Sequence, residues 1–327
     1  MIEVKNIVKR FGDKPVLMDV GFTAGDNEIV GFLGPNGAGK TTTLNIITGY
    51  LSATSGTVTV DGFDILDDPI SARRQIGFLP EIPPLYPDMT VEEYLNFIYE
   101  LRKCTFNRAK HLEEITEVTR ISDVYKRVIG NLSKGYKQRV GIAQALVANP
   151  KTIILDEPTA GLDPQQIIEI RNLVRVLGRE HTVIFSSHVL SEVQAVADRI
   201  VIINKGRIVA DERADEITRV AEGKRRFSFT VCGPEKEVFA ALRGVEGVSY
   251  VESLPSADVD STTYIVESAA GADVRRGVFA LTAARNWPLI GVEAIGVNLE
   301  EIFISLVDRN QKTTSRRGAS AGANERM

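Results

Sequence analysis

A glycine-rich stretch between an apolar segment and a helix-like segment constrains this chain more than any other feature. Residues 34–42 read GPNGAGKTT and match the pattern G-x-x-x-x-G-K-[ST]. Residues 27–33 predict a buried strand before this loop, and residues 42–48 predict a helix after it. A chance glycine-rich turn is the alternative, and the strand before and the helix after argue against it. The sequence therefore predicts a strand–loop–helix unit that binds the phosphates of a nucleotide.

Each position of this loop has a predicted role. Lys40 is expected to reach the β- and γ-phosphates and to take part in catalysis, and the Thr41 hydroxyl is expected to bind Mg²⁺. The backbone of the other residues would surround the phosphates. These candidates are Gly34, Pro35, Asn36, Gly37, Ala38, Gly39 and Thr42.

The amino-acid composition limits the classes of protein to which this chain can belong. The 327 residues suffice for two domains, and 43% hydrophobic with 25% charged residues is ordinary for a soluble globular chain. A net charge of -4 gives no general attraction to nucleic acid, so no nucleic-acid partner is predicted. No apolar run reaches the roughly 18 residues that a membrane span needs, and the first residues predict a strand rather than a signal peptide. Cys104 and Cys232 stand far apart, which predicts a reducing cytoplasm and neither a disulfide nor a zinc site.

The first two thirds of the chain alternate short apolar strands with amphipathic helices. This rhythm predicts an α/β domain over residues 1–218 with a mainly parallel sheet. The clearest expected strands are residues 28–33, 57–60, 152–155, 182–185 and 200–203. Residues 83–148 predict a helical subdomain instead, in which Thr90 and Glu93 form a capping box at the start of one helix.

The pattern restarts after a charged segment. Residues 219–226 predict a linker, and residues 227–308 predict an accessory domain of order β-α-β-β-α-β, the ferredoxin-like α+β arrangement. A final helix over residues 299–307 would close that domain. Residues 309–327 contain almost no large apolar side chain and predict a disordered tail.

Two adjacent carboxylates follow the expected strand 152–155. Asp156 is placed to bind Mg²⁺, usually through water, and Glu157 is placed to polarise the water that attacks the γ-phosphate. The alternative is a strand that ends in acidic turn residues. The phosphate loop earlier in the chain favours the catalytic interpretation.

A third motif closes the helical subdomain. Ser133 predicts the N-cap of a long helix, and its hydroxyl, Gly135 and the helix N-terminus could form a second phosphate-binding surface. A plain helix cap is the default interpretation of this motif alone. In combination with the other motifs, however, the chain resembles the nucleotide-binding subunits of ATP-binding cassette (ABC) transporters, whose signature is usually LSGGQ. Leu132, Ser133 and Gly135 match that signature, while Lys134 and Tyr136 depart from it.

The resemblance implies roles for further residues and a P-loop NTPase fold for the first domain. Phe11 resembles the aromatic residue that stacks on adenine, with Val16 packing beside it, although Phe11 alone would more often be a core residue. Asp163 resembles the loop that crosses between paired ATPase domains, although Asp-Pro is also an ordinary helix start. His188 resembles the histidine that contacts the γ-phosphate, although a lone histidine is usually a surface residue.

One residue differs from the residue that the family usually has at that position, and the difference indicates a subgroup of the family. Where the family usually has a glutamine, this chain has Glu81, which is expected to contact Mg²⁺ and the nucleotide. Glu81, the Pro-rich residues 82–87 and the three threonines 41–43 resemble ATPases that serve exporter-type permeases, including the multidrug and gliding-motility groups. The C-terminal appendage fits the same groups.

The resemblance therefore implies an ATPase subunit that uses ATP and Mg²⁺ and works as a head-to-tail homodimer. The phosphate loop of one copy would meet Ser133 and Gly135 of the other. A separately encoded integral-membrane permease would dock around residues 81–99 and hold the subunit at the cytoplasmic face of the cell membrane, for export.

Two other classes remain open. The first is a soluble regulatory or assembly ATPase that acts on ribosomes or DNA. The single nucleotide-binding cassette and the negative net charge of the chain argue against this class. The second is a binding protein without turnover, and the intact Asp156, Glu157 and His188 argue against that class.

Overall fold

The computed structural model describes residues 1–217, 226–255, 260–269 and 271–295. The chain divides into two compact units, Met1–Ala214 and Asp215–Met327. Residues 219–225 of the expected linker, the expected helix at 299–307 and the expected tail at 309–327 lie outside the described residues.

The first unit contains ten strands and seven α-helices within its described residues. The strands are β1 (Ile2–Phe11), β2 (Lys14–Ala24), β3 (Ile29–Leu33), β4 (Ser55–Val60), β5 (Phe63–Asp64), β6 (Ile76–Leu79), β7 (Thr152–Leu155), β8 (Thr182–Ser187), β9 (Arg199–Asn204) and β10 (Arg207–Arg213). The helices are α1 (Lys40–Ile47), α2 (Pro69–Arg74), α3 (Val91–Leu101), α4 (Arg108–Val118), α5 (Lys134–Leu146), α6 (Pro164–Leu177) and α7 (Leu190–Gln194). Short 3₁₀ helices lie at Ser122–Val124 and Ile129–Asn131.

These strands form two sheets. A six-stranded sheet has the order β10-β9-β3-β8-β7-β6, parallel from β9 to β6 with β10 antiparallel at the edge. A four-stranded antiparallel sheet has the order β2-β1-β4-β5. Because β3, β8 and β7 are parallel neighbours, the loops that follow them meet at one edge of the sheet. That edge brings the phosphate loop, the two carboxylates and His188 into one region.

The burial of the central strands explains why these strands could be predicted from the sequence. β3, β7 and β8 are buried at every position. A parallel strand covered on both faces must be apolar throughout, so it appears in the sequence as an unbroken hydrophobic run. β1 corresponds to the strand expected at the first residues, and the structure adds β2, β5, β6 and β10 to it and to the five clearest expected strands.

The helical subdomain is present at residues 83–148, where α3, α4 and α5 lie. Thr90 caps α3: its hydroxyl accepts a hydrogen bond from the Glu93 N–H at 3.2 Å, and the Glu93 carboxylate accepts one from the Thr90 N–H at 2.8 Å. The apolar face of α3 is buried, as its spacing predicted. No described helix has the length and apolar character needed to cross a membrane.

The second unit contains a four-stranded sheet and two helices in its described residues. In chain order these are β11 (Arg226–Val231), α8 (Glu235–Arg243), β12 (Val248–Pro255), β13 (Thr262–Ser268), α9 (Arg275–Ala284) and β14 (Leu289–Ile295). The sheet order is β12-β13-β11-β14 and every pair is antiparallel. This is the ferredoxin-like topology. Its core contains Phe229, Tyr264, Val266, Val238 and Leu242.

Candidate functional site

The phosphate loop joins β3 to α1 in a conformation that requires glycine. Gly39 has a φ of 114°, in the left-handed region, and directly precedes the first residue of α1. A Cβ at Gly34 would lie 2.2 Å from the carbonyl oxygen of Ile203 in β9, so the loop packs against its neighbouring strand only without a side chain there. The backbone N–H groups at the start of α1 are therefore available to an anion.

Lys40, the first residue of α1, is turned back over its own loop. Its Nζ donates hydrogen bonds to the carbonyl oxygens of Gly34 at 2.8 Å and Pro35 at 3.3 Å. The side chain is buried, and Glu157 Oε1 lies 3.2 Å from Nζ. Because Oε1 has no well-directed hydrogen bond among the described residues, this contact is an ion pair.

Asp156 and Glu157 follow β7 and are organised by a serine on the neighbouring strand. The Ser186 hydroxyl donates to Asp156 Oδ1 at 2.6 Å and accepts from the Glu157 N–H at 2.9 Å. Both carboxylates are buried. The end of β8 thus fixes the backbone and one side chain of the acidic pair.

His188 completes this arrangement from the loop after β8. Its Nδ1 lies 3.0 Å from Glu157 Oε2, so Glu157 is placed between Lys40 and His188. The three residues that were expected to be catalytic are therefore in direct contact. His188 is 46% exposed, whereas Glu157 is 9% exposed, so the histidine faces the open side of the site.

These residues border a cleft of about 690 Å³. Ten of the expected site residues line it: Val16, Asn36, Gly37, Gly39, Lys40, Thr41, Thr42, Glu81, Glu157 and His188. Five that the sequence did not single out also line it: Lys14, Pro15, Met18, Ala160 and Lys205. Three lysines, Lys14, Lys40 and Lys205, give the cleft the positive charge that a triphosphate requires.

A second cleft of about 870 Å³ adjoins the first, because Thr41 and Glu81 line both. Asp156 also lines it, together with Arg73 and Arg102. Burial lowers the pKa of the Arg102 guanidinium, whose Nη2 donates to the carbonyl oxygen of Ile76 at 2.7 Å. This cleft extends from the expected metal ligands toward α3.

The donor set fits a magnesium ion. Asp156 Oδ2 is buried and has no hydrogen-bond partner among the residues that the structure describes. The Thr41 hydroxyl and the Glu81 carboxylate line the adjoining space. Mg²⁺ prefers oxygen ligands and takes only one or two from the protein, with water and phosphates filling the rest. No group of three or more His, Cys, Asp or Glu side chains forms a metal cluster in the described part of the chain.

Eight expected site residues are not among those that line the first cleft. Gly34, Pro35 and Ala38 belong to the phosphate loop itself, and Asp156 lines the second cleft. The other four lie elsewhere. Phe11 ends β1 and is 51% exposed, with Lys9 Nζ 4.9 Å from its ring centre. Asp163 caps α6 by accepting from the Gln166 N–H at 2.9 Å. Ser133 caps α5 through a long bond of 3.4 Å from the Tyr136 N–H and is otherwise exposed. Gly135 is buried and packs against Gln166.

Comparison with known proteins identifies relatives of the whole chain and of its first part. Residues 17–160 match the ABC transporter family. The linearmycin resistance ATP-binding protein LnrL of Bacillus subtilis is 32% identical over 317 residues, covering 94% of this chain and 99% of LnrL. The lipopolysaccharide export system ATP-binding protein LptB of Haemophilus influenzae is 36% identical, covering 69% of this chain and 95% of LptB.

A solved structure shares the fold of the first unit. The dimeric, post-hydrolysis state of the ATP-binding cassette MJ0796, bound to ADP and Pi, matches with a TM-score of 0.60 and 28% identity. The match covers 65% of this chain and 99% of that one.

Proposed function

Because this chain belongs to the ABC transporter family of ATP-binding subunits, we propose that it drives export through a separate membrane permease. It is an ABC ATPase. The observation that carries the proposal is the position of Glu157, buried between Lys40 and His188 beside the phosphate loop. A nucleotide-binding module without turnover would not need a buried carboxylate in that position.

ATP binding would exchange the contacts of Lys40. The carbonyl oxygens of Gly34 and Pro35 now accept its hydrogen bonds, and phosphate oxygens are stronger, charged acceptors. The N–H groups at the start of α1 would bind the same phosphates. Thr41 and Asp156 would hold Mg²⁺, which neutralises charge on the phosphates when bound.

Hydrolysis would use Glu157 as the base. Once Lys40 turns toward the phosphates, Glu157 Oε1 becomes free to accept a proton from the attacking water. Oε2 remains in contact with His188, which keeps the carboxylate oriented. His188, on the exposed side, can contact the γ-phosphate at the same time.

Each nucleotide site would be completed by a second copy of the chain. Ser133 lies exposed at the N-terminus of α5 and outside the cleft of its own subunit. In a head-to-tail dimer, this helix start and Gly135 would cover the γ-phosphate bound to the partner copy, with Asp163 at the same interface. The dimeric state of the related cassette MJ0796 supports this arrangement.

The permease would dock on the surface formed by residues 81–99 at the second cleft. Ile82 is 82% exposed and Tyr86 51% exposed, so apolar side chains are available to a partner on this surface. Glu81 lines both clefts, so it would report Mg²⁺ and nucleotide occupancy to the docked permease. Such docking would hold the subunit at the cytoplasmic face of the membrane. LnrL is a linearmycin resistance protein and LptB belongs to a lipopolysaccharide export system, which favours outward transport.

Membrane co-purification with the permease tests this proposal. The wild-type chain, expressed with the permease, should sediment with membranes and drive ATP-dependent transport in vesicles. Ile82→Asp should lose both while the purified chain still hydrolyses ATP. Val176→Asp, at an exposed apolar position on α6, is the matched control and should behave as wild type. Sedimentation with ribosomes instead of membranes would favour a soluble assembly ATPase.

A further inference from the structure

A buried carboxylate lies behind the nucleotide cleft and has no role in the scheme above. Glu192 is on α7, four residues after His188, and is buried. It is not among the residues that line either cleft. A buried carboxylate destabilises a protein unless its oxygens receive hydrogen bonds, so its contacts indicate what it is retained for.

One oxygen of Glu192 receives two hydroxyl hydrogen bonds. Glu192 Oε2 accepts from Thr159 Oγ1 at 2.6 Å and from Ser187 Oγ at 3.0 Å. Both hydroxyl residues are buried. Thr159 stands two residues after Glu157, and Ser187 stands directly before His188. A single carboxylate oxygen therefore connects the two loops that carry the catalytic pair.

The bonds around these hydroxyls fix the backbone next to each catalytic residue. Ser187 Oγ also accepts a hydrogen bond from the Val189 N–H at 3.0 Å. This bond joins the residue directly before His188 to the residue directly after it. Glu157 has a φ of 46°, which is unfavourable for a residue with a Cβ and needs support from its surroundings. The Ala160 N–H donates to the Glu157 carbonyl at 3.1 Å and closes the turn that contains Thr159.

The pairing between β7 and β8 does not itself join the two loops, although β8 pairs with β3 as far as Ser187. The ladder between β7 and β8 ends at Leu155 and Phe185, before either catalytic residue. Beyond that pair, Ser186 joins the strand end to the acidic pair, and Glu192 joins the loops further out. The 3.0 Å contact between Glu157 and His188 lies between these two connections.

We propose that Glu192 is a positioning residue for ATP hydrolysis, which sets the distance between Glu157 and His188 by binding Thr159 and Ser187 with one oxygen. The inference rests on the proposed catalytic role of Glu157. Glu192 lines neither cleft, so it would not contact the nucleotide. It acts on the rate of hydrolysis and leaves nucleotide binding to the phosphate loop.

Three substitutions separate positioning from general stability. Glu192→Ala removes the acceptor, and Thr159→Val removes one donor at nearly constant volume. Both should lower kcat by about 10- to 100-fold, as loss of an outer support of an active site does, with little change in KM for ATP. Glu192→Gln keeps an acceptor oxygen and should retain most of the wild-type kcat. ATP turnover by the purified full-length chain measures all three.

Thr182→Val is the matched control. Thr182 is buried at the start of β8, and its hydroxyl donates to the Gly25 carbonyl at 2.8 Å. Thr182→Val therefore removes a buried threonine hydroxyl, as Thr159→Val does, but at a position away from the cleft. This variant should keep the wild-type kcat. Should Glu192→Ala fail to fold, Thr159→Val provides the same test.

The decisive measurement is whether the effect of Glu192→Ala on turnover depends on the presence of His188. In a His188→Ala background, measured in single turnover, Glu192→Ala should cause no further decrease, because the contact that it positions is already absent. An equal decrease in both backgrounds would overturn the inference, as would wild-type turnover by both Glu192→Ala and Thr159→Val. Failure of the proposed function is recognised separately, by Glu157→Gln turning over ATP as fast as wild type.

Discussion

Glu157 has an unfavourable backbone conformation and a buried carboxylate, and the position of its side chain accounts for both. Its φ of 46° turns the side chain back under the phosphate loop, between Lys40 and His188. A residue in an ordinary strand conformation at the end of β7 would continue along the strand instead. The strained backbone is thus part of how the site places the Glu157 carboxylate.

Glu157→Gln should lower kcat for ATP by about 100- to 10,000-fold, the range for loss of a general base. Binding of Mg²⁺–ATP should persist, because Lys40, Thr41 and Asp156 are unchanged, and dimers should accumulate with ATP. Turnover, nucleotide affinity and size-exclusion profiles measure the three effects. Glu180→Gln, at an exposed position, is the control. Near-normal turnover by Glu157→Gln would exclude Glu157 as the base.

The sequence was most informative where function depends on adjacent residues. The phosphate loop and the Asp156–Glu157 pair are local patterns, so they could be recognised without the fold. Ser186 could not, because its role depends on β8 lying beside β7. Its signal was weak: two hydroxyl residues at the end of an apolar run. Phe11 was expected to stack on adenine. It is exposed and is not among the residues that line the cleft, and this role stays a prediction.

At the level of elements, the β1–β2 hairpin shows why β2 was not among the strands expected from the sequence. Asn6 and Asp19 have positive φ angles, and the Asn6 amide donates to the Asp19 carboxylate at 2.8 Å. The register of the pair shifts around these residues. Each shift exchanges the buried and exposed faces, so the alternation of apolar and polar residues is broken. The buried central strands have no such interruption.

Thr90→Ala should lower the free energy of unfolding by about 1 kcal/mol, the usual loss for an N-cap hydroxyl. In the wild type, the bonds from the Thr90 backbone and hydroxyl lower the pKa of Glu93. The stabilisation is therefore present above the unfolded pKa and is lost as the pH falls through the folded pKa. The difference between variant and wild type should shrink below about pH 4.

Urea unfolding at pH 7 and at about pH 3, below the pKa of an ordinary glutamate, measures this difference. Thr105→Ala, an exposed threonine after α3, serves as the control. A difference that is equal at both pH values would show that the Glu93 carboxylate takes no part in the cap.

At the scale of the whole molecule, the nucleotide cleft and the α5 N-terminus are separate surfaces of one subunit. The cleft contains Lys40 and Glu157, while Ser133 is exposed outside it. Whether they meet across two copies can be tested by mixing inactive variants. In a head-to-tail dimer, defects on different surfaces leave one complete site per mixed dimer.

Lys40→Ala mixed with Ser133→Arg should therefore recover ATP turnover, although each variant alone is inactive. Lys40→Ala mixed with Glu157→Gln is the matched control. Both of these defects lie in the same cleft, so each site of the mixed dimer lacks one essential residue. Recovery in neither mixture would contradict the shared site. Binding of ATP to the Ser133→Arg monomer should match that of wild type.

The contacts of Lys40 have a further consequence for the cycle. Two carbonyl oxygens and the Glu157 carboxylate compensate its ammonium group within the protein itself. Under the proposed function, nucleotide binding would replace one set of partners with another, and the affinity would reflect only the difference between them. The same protein partners would be available to Lys40 again as ADP leaves. A subunit built in this way is suited to repeated exchange of nucleotide rather than to its long retention.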